Sequence, residues 1–453
     1  MTGPGAHRTV PRRFTFVVVR YGEGILGGAE AHCRAVVERL AAQGHDVRVL
    51  TTTATSYKSW RNALSVGEER VAGIPVRRFA TRIPRLTPFD DALKWAVTLG
   101  REGAGGLAQL RRFDAAKPDA QALHLALERA WIAAQGPVAP DLIDAIARTD
   151  TDAFVFFGYL YYPTIWGVPR VAERAVIAPL ADEEPMLYAP IVRRTLRSAR
   201  ALVMNVDEEA ERVRAILAPQ QVPMAVVALG MDPAPARAAY ARPVDGPFLL
   251  LLGRGGKNRP MAPVWRALIE RRDLGAIELD DGRTLDATAL TLVTAGERTR
   301  SLEGHPRVVQ LGRVDEATRW GLTRDALALV SPSVSESLSL VVLESWLAGR
   351  SVIVNRACDT TDGHVRRCAG GVSIDFTPPS AAALAIVDAI RHKRTRDDRA
   401  AKGKAYVERR YGWDRVLDAY GSIGQAIATR DDVNATLRRW AAQSGAWFAG
   451  AAG

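Results

Sequence analysis

The sequence predicts an α/β chain of two domains, each built around a largely parallel sheet. Short apolar runs alternate with stretches of helical period from Phe14 onward, and the same alternation starts afresh at Pro247. Between the two series, residues 233–246 (PAPARAAYARPVDG) are rich in Pro and Ala and lack an amphipathic period, which marks a linker. The 453 residues, 47% apolar and 25% charged, are an ordinary globular composition long enough for two or three domains of about 100–200 residues each. The expected division is 1–232, a linker at 233–246, a second domain at 247–410, and helices at 411–453 that return to the first domain.

In chain order, FTFVVVR (Phe14 to Arg20) is the first strand, and the helix after it carries Ala35, Val36, Leu40 and Ala41 before Gly44 closes it. HDVRVLTTT is the second strand. The loop between matches the dinucleotide-binding pattern at Gly22, Gly24 and Gly27. An acidic residue to hold ribose hydroxyls is expected about 20 positions on. Thr51, Thr52 and Thr53 stand there instead, so a nicotinamide or flavin oxidoreductase is the weaker reading of this loop. Gly27 and Gly28 still allow either a close ligand approach or a tight packing turn. GIPVRRF is a further strand, and ALHLALERAWIAA is the clearest helix before Pro140. DLIDAIA then reads as a helix and DAFVFFGYL, RAVIAPL and ALVMNV as strands. The loop Ala181-Asp182-Glu183-Glu184-Pro185 falls at a strand's carboxyl end and is a candidate site loop or a solvated acidic turn.

In the second series, PFLLLLG ends in Arg254-Gly255-Gly256-Lys257-Asn258-Arg259-Pro260. Strand, glycines, cations and a following helix suit a phosphate, since glycine lets the backbone approach and Arg and Lys neutralise charge. The Walker spacing is absent. Strands LTLVTAGE, RVVQLGRVD, ALALV, SVIVN and GGVSID follow. The most informative stretch is Ser331 to Asn355 (SPSVSESLSLVVLESWLAGRSVIVN), which sets Glu336 and Glu344 on either side of a loop and helix start at a sheet edge.

A formal net charge of +11 favours anionic partners such as nucleotide phosphates, acidic saccharides or anionic lipid headgroups. The arginines are scattered and no helix-turn-helix or single-strand-binding signature occurs, so nucleic acid is not an expected partner. Cys33, Cys358 and Cys368 form no C-x-x-C pair, which suggests neither a disulfide framework nor a zinc site, and no metal is expected. The apolar run after Arg12 and Arg13 is too short for a signal segment, and none reaches the roughly 18 residues of a transmembrane helix. The expected location is cytoplasmic, with the inner membrane face as a peripheral partner that the charge allows.

The segment Ser331–Gly349 resembles the S-x-x-E-x-F-G-L-x-x-x-E-A-x-A-x-G signature of retaining family 4 glycosyltransferases. Gly27-Gly28-Ala29-Glu30 is similar to that family's G-G-x-E loop and GRGGKN to its phosphate segment. LVTAGE, VQLGRVD and YGWDRVLDAY match its later landmarks in order, and QGPVAPDLI and FFGYLYYPT are similar to a bacterial subset. The resemblance implies the GT-B fold: two Rossmann-like domains facing each other across a cleft that holds the active site, with a C-terminal helix crossing back to the first. It implies a metal-independent retaining transfer from a nucleoside diphosphate sugar, UDP or GDP, to a saccharide, lipid-linked or small-molecule acceptor, without a cofactor. Arg254 and Lys257 would stabilise the leaving diphosphate, helped by amides near Leu338, Ser339 and Leu340. Glu336 would hold donor-sugar hydroxyls and Glu344 the ribose, about 12 Å apart if the span between them were helical. Gly28 and Asp182 would line the donor site from the first domain.

Three positions depart from the pattern. Arg254 and Lys257 are closer together than usual, which brings Arg259 into the cation set. Ser337-Leu338-Ser339 stands where G-F-G is usual, and Asp182 stands where the bacterial subset carries a histidine. These departures motivate an alternative, a catalytically weak GT-B relative that binds nucleotide as a scaffold subunit.

Overall fold

The computed structural model describes residues 10–25, 27–87, 91, 93, 106–253, 255–271, 273–446, 448 and 449. These form two compact units: one from the residues up to Gly230 together with those from Trp413 onward, the other from Met231 to Gly412. The Pro- and Ala-rich segment belongs to the second unit, where Tyr240 donates its hydroxyl to Asp325 at 2.7 Å and covers Gly321.

The first unit is built on β1 (Arg13–Val17), β2 (Asp46–Thr52), β3 (Gly67–Val71), β4 (Ile74–Phe79), β5 (Ala153–Phe157), β6 (Ala175–Ala178), β7 (Ala201–Met204) and β8 (Met224–Val226). Its sheet runs β17-β8-β7-β6-β5-β1-β2-β4-β3, where β17 is Phe448–Ala449. Strands β8 through β4 are parallel, and antiparallel β3 and β17 close the edges. Strands β5, β6 and β7 are apolar and buried at every position because helices cover both faces, as in AFVFF of β5. One covering helix is Gly28–Ala42; another is the returning helix Trp413–Ala428. Gly424 permits the second, since a β-carbon there would fall 2.4 Å from the Phe14 ring. Phe14, Phe16, Val155, Val416 and Tyr420 share one core cluster, so the first strand and the returning helix are packed together.

The second unit carries a six-stranded parallel sheet, β13-β12-β9-β14-β15-β16. Its strands are β9 (Phe248–Gly253), β12 (Thr291–Gly296), β13 (Val308–Gln310), β14 (Ala328–Ser331), β15 (Val352–Asn355) and β16 (Gly371–Ile374); β10 (Ala276–Glu278) and β11 (Thr284–Asp286) form a separate hairpin. The chain lays β12 and β13 on one side of β9, then crosses back to lay β14, β15 and β16 on the other. The order therefore reverses between β9 and β14, which pair Leu249 with Ala328 and Leu250 with Leu329. Crevices at such switch points, at the carboxyl ends of the strands, are where open α/β sheets take their ligands.

Several expected boundaries move. The first strand ends at Val17 rather than Arg20, because the segment through Arg20 turns toward the helix at Gly28. The expected strand ALALV begins two residues later, at Ala328, and includes Ser331. Short β8 and the β10-β11 hairpin were too brief or too polar to show as apolar runs.

Candidate active site

The loops after β9 and β14 meet at the switch point of the second unit. After β9 a 3-10 turn spans Gly255–Asn258, and its backbone packs directly on a neighbouring strand end. A β-carbon at Gly255 would stand 2.1 Å from the Arg298 carbonyl oxygen, and one at Gly296 would stand 2.3 Å from that of Gly253. Glycine here serves backbone packing of the turn against the loop after β12. Lys257 is presented by this turn, its Nζ 3.0 Å from Glu336 Oε1 and also bonded to the Ser335 carbonyl oxygen. Both side chains stay about a quarter exposed, so the pair is accessible to an incoming anion. Arg254 lies outside the described residues. Arg259 is exposed just beyond the turn.

The helix after β14 begins only at Leu340 and ends at Leu347, with Gly349 in the left-handed region that commonly ends helices (φ +78°). Glu336, Ser337, Leu338 and Ser339 lie outside it, so the 12 Å reach expected for a helical span between the two glutamates does not apply. Ser339 caps the helix with φ 61° and ψ 67°, is buried, and has a hydroxyl without a hydrogen-bond partner. This left-handed conformation costs an L-residue roughly 1–2 kcal/mol and costs glycine nothing, which accounts for glycine at this place in the resembled pattern. Ser339→Gly is expected to stabilise the second unit by about 1 kcal/mol, after allowing for glycine's greater freedom in the unfolded chain. Denaturant titration checks this, and an unchanged or lower midpoint would count against strain at Ser339.

Glu344 is paired with Arg319 from the helix Glu316–Asp325. Arg319 is held in turn by Glu316, through Nε at 3.0 Å and a terminal nitrogen at 2.7 Å. Burial lifts the Glu344 carboxyl above its ordinary range, against the opposing pull of Arg319. The sequence reading missed Arg319, since no motif joins it to a glutamate 25 positions away. It also missed His364, which donates to the Leu338 carbonyl from 26 positions away.

In the first unit, Gly27 and Gly28 precede the helix Gly28–Ala42. Arg20 and Glu30 form a buried ion pair at 2.5 Å beneath them, and a β-carbon at Gly27 would land 2.0 Å from the Glu30 carboxylate. A β-carbon at Gly28 would meet open space, so the need for glycine in packing falls on Gly27. The loop after β6 is braced at nearly every residue. Leu180 is left-handed (φ 57°), Ala181 N–H donates to Glu209 at 2.7 Å, and Glu183 pairs with Arg212 at 2.5 Å. Glu184 accepts from the Tyr159 hydroxyl. Burial raises Glu209 to about 7, against two backbone N–H donors. Asp182 lies in this loop, where its charge acts on both Glu209 and Tyr159. The acidic segment is therefore a built loop rather than a solvated turn.

Among the described residues, no cluster of three or more His, Cys, Asp or Glu side chains is placed to hold a metal ion, and no helix is long and apolar enough to cross a membrane.

Sheet order, switch point and returning helix are those of the GT-B fold. The chain is similar to a sucrose-phosphate synthase from Thermosynechococcus elongatus, with a TM-score of 0.62 and 15% identity over 93% of this chain and 100% of that one. It is also similar to a trehalose-6-phosphate protein from E. coli bound with UDP-2-fluoro glucose, with a TM-score of 0.59 and 11% identity over 95% and 98% of the two chains. In sequence, it is 24% identical over 450 residues to a D-inositol 3-phosphate glycosyltransferase of Thermomonospora curvata, covering 92% of this chain and 94% of the relative. No family model matches the chain. By fold and by its curated relative, the chain is of the glycosyltransferase class.

Proposed function

We propose that this protein is a retaining, metal-independent glycosyltransferase of the family 4 type. In this reading it transfers a hexose from a nucleoside diphosphate sugar, UDP before GDP, to a polar saccharide or sugar-phosphate acceptor. The observation that carries the reading is Lys257 beside Glu336 at the switch point of the second unit. As the sugar–phosphate bond breaks, negative charge builds on the diphosphate, and an ammonium already fixed there stabilises that charge without reorganising. Arg254 supplies a second cation, so the leaving group needs no metal. Glu336, relieved of Lys257 by the diphosphate, accepts hydrogen bonds from the sugar hydroxyls. Glu344, oriented by Arg319, accepts those of the ribose. The GT-B fold, the sequence relative and a neighbour bound with UDP-2-fluoro glucose support the nucleotide-sugar donor. The relative's name supports a phosphorylated acceptor.

The test is a panel of UDP, GDP and ADP sugars, with free and phosphorylated saccharide acceptors. Acceptor-dependent nucleotide release is expected, with an α-linked product from an α-linked donor by NMR. Absence of nucleotide binding overturns the reading. The second reading, a weakly catalytic nucleotide-binding subunit, is favoured by Asp182 in a carboxylate-rich loop where an imidazole would donate. Nucleotide binding without transfer, restored by Asp182→His, would select it.

A further inference from the structure

Behind the loop that follows β14 lies a buried aromatic cluster to which the proposed chemistry assigns no part. His364, on the helix Asp359–Cys368, is 0% exposed, and its Nε2 is 3.0 Å from the Leu338 carbonyl oxygen. A carbonyl can only accept, so Nε2 carries the proton and Nδ1 is the acceptor. Nδ1 lies 3.1 Å from the Tyr406 hydroxyl and 3.4 Å from an Arg367 terminal nitrogen. The rings of Trp346, Tyr406 and Tyr411 stand edge-on to the imidazole at centroid distances of 6.3, 5.9 and 6.1 Å. Burial, with Arg367 and Arg410 nearby, lowers the imidazole to about 3, which keeps the ring neutral and its tautomer fixed by its neighbours.

Anchoring the Leu338 carbonyl has a consequence one atom further along the chain. In a planar trans peptide the C=O and the following N–H point to opposite sides. With the Leu338 oxygen held toward buried His364, the Ser339 N–H is turned away from the cluster. Left-handed Ser339 then passes the chain into the helix Leu340–Leu347. Among the described residues, no hydrogen bond takes up the N–H of Ser339, Leu340 or Val341. Successive unpaired amides about a left-handed residue form an anion-binding nest.

We propose that His364 is a positioning residue for the donor diphosphate: by holding the Leu338 carbonyl inward it sets the Ser339–Val341 amides to receive phosphate oxygens. This rests on the nucleotide-sugar reading above. His364 touches no substrate; it acts through the Leu338–Ser339 peptide. An amide side chain at 364 can replace the Nε2–H donor, whereas a phenyl ring of similar shape cannot.

The test compares wild type, His364→Phe and His364→Gln by calorimetric titration with UDP and with uridine, or with GDP and guanosine if the donor panel selects that base. Losing a phosphate contact of charge-assisted strength corresponds to about a 10- to 100-fold weaker UDP affinity in His364→Phe. Uridine affinity should stay within about twofold, and His364→Gln should recover most of the loss. In turnover, the donor KM should rise more than kcat falls. Equal weakening of UDP and uridine, or no weakening of either, overturns the positioning role. Failure of wild type to bind any nucleoside diphosphate overturns the functional reading and this inference with it. If His364→Phe does not fold, Tyr406→Phe carries the test: it removes only the hydroxyl beside Nδ1, and a several-fold loss for UDP but not uridine is expected. Unchanged UDP binding in that variant would overturn the proposal.

Discussion

Lys257→Ala is expected to lower donor turnover by about 10²- to 10³-fold, the usual effect of deleting one preorganised group aimed at developing charge. The local geometry gives the reason for a large value. Lys257 is fixed by the Ser335 carbonyl and by Glu336, on a turn that Gly255 holds against the Arg298 backbone. Removing the ammonium withdraws the cation from the diphosphate and also leaves the Glu336 carboxylate facing that anion without a counter-charge. Both effects oppose the transition state, so kcat should fall more than donor KM rises. Initial-rate kinetics with the preferred donor check this, with circular dichroism to confirm folding. A change of less than about tenfold in kcat/KM would remove Lys257 from the reaction.

The second large effect is on stability. Trp346→Ala should destabilise the second unit by roughly 3–5 kcal/mol, the range for truncating a large aromatic in a core. Trp346 is fully buried, and its indole N–H donates to the Gly370 carbonyl at 2.8 Å. The surroundings have little room to collapse: β-carbons at Gly370 and Gly403 would fall 2.7 and 2.2 Å from the indole ring, so both backbones already press on it. Calorimetry should show one transition lowered by on the order of 10 °C while another is unmoved, because the chain forms two compact units. Trp346→Phe should recover part of the packing but not the hydrogen bond. A drop of under 1 kcal/mol in the alanine variant would contradict this account.

The GT-B architecture was readable because buried parallel strands leave long apolar runs such as FLLLLG and AFVFF, separated by helices of clear period. The switch-point loops could be located by the same logic, since glycines and cations follow a strand directly at Gly255–Lys257 and a carboxylate follows one at Glu336. What a linear pattern could not supply was the partner of each group. Arg319 reaches Glu344 only because the helix Glu316–Asp325 packs beside Leu340–Leu347, and His364 meets Leu338 only through the crossover after β15. The Ser339 departure also changed meaning. As a letter it was a missing glycine; in three dimensions it is a left-handed residue that keeps the backbone path glycine would take, at a cost in strain. For Gly27 and Gly28 the alternatives of ligand approach and packing turn divide between neighbours, with the packing demand at Gly27.

The return of the C-terminal helix also sets an order of assembly. The second unit, Met231–Gly412, is complete in sequence before the first unit can be, because the first needs Trp413 onward to cover Phe14, Phe16 and Val155. A chain leaving the ribosome can therefore finish its second unit while the sheet of the first still shows an apolar face. Only the last segment, with Trp413 against Gly230 and Arg415 donating to the carbonyls of Val226 and Val227, closes it. Domains otherwise tend to fold N-terminal first during synthesis. Here the first to be made is the last to be finished.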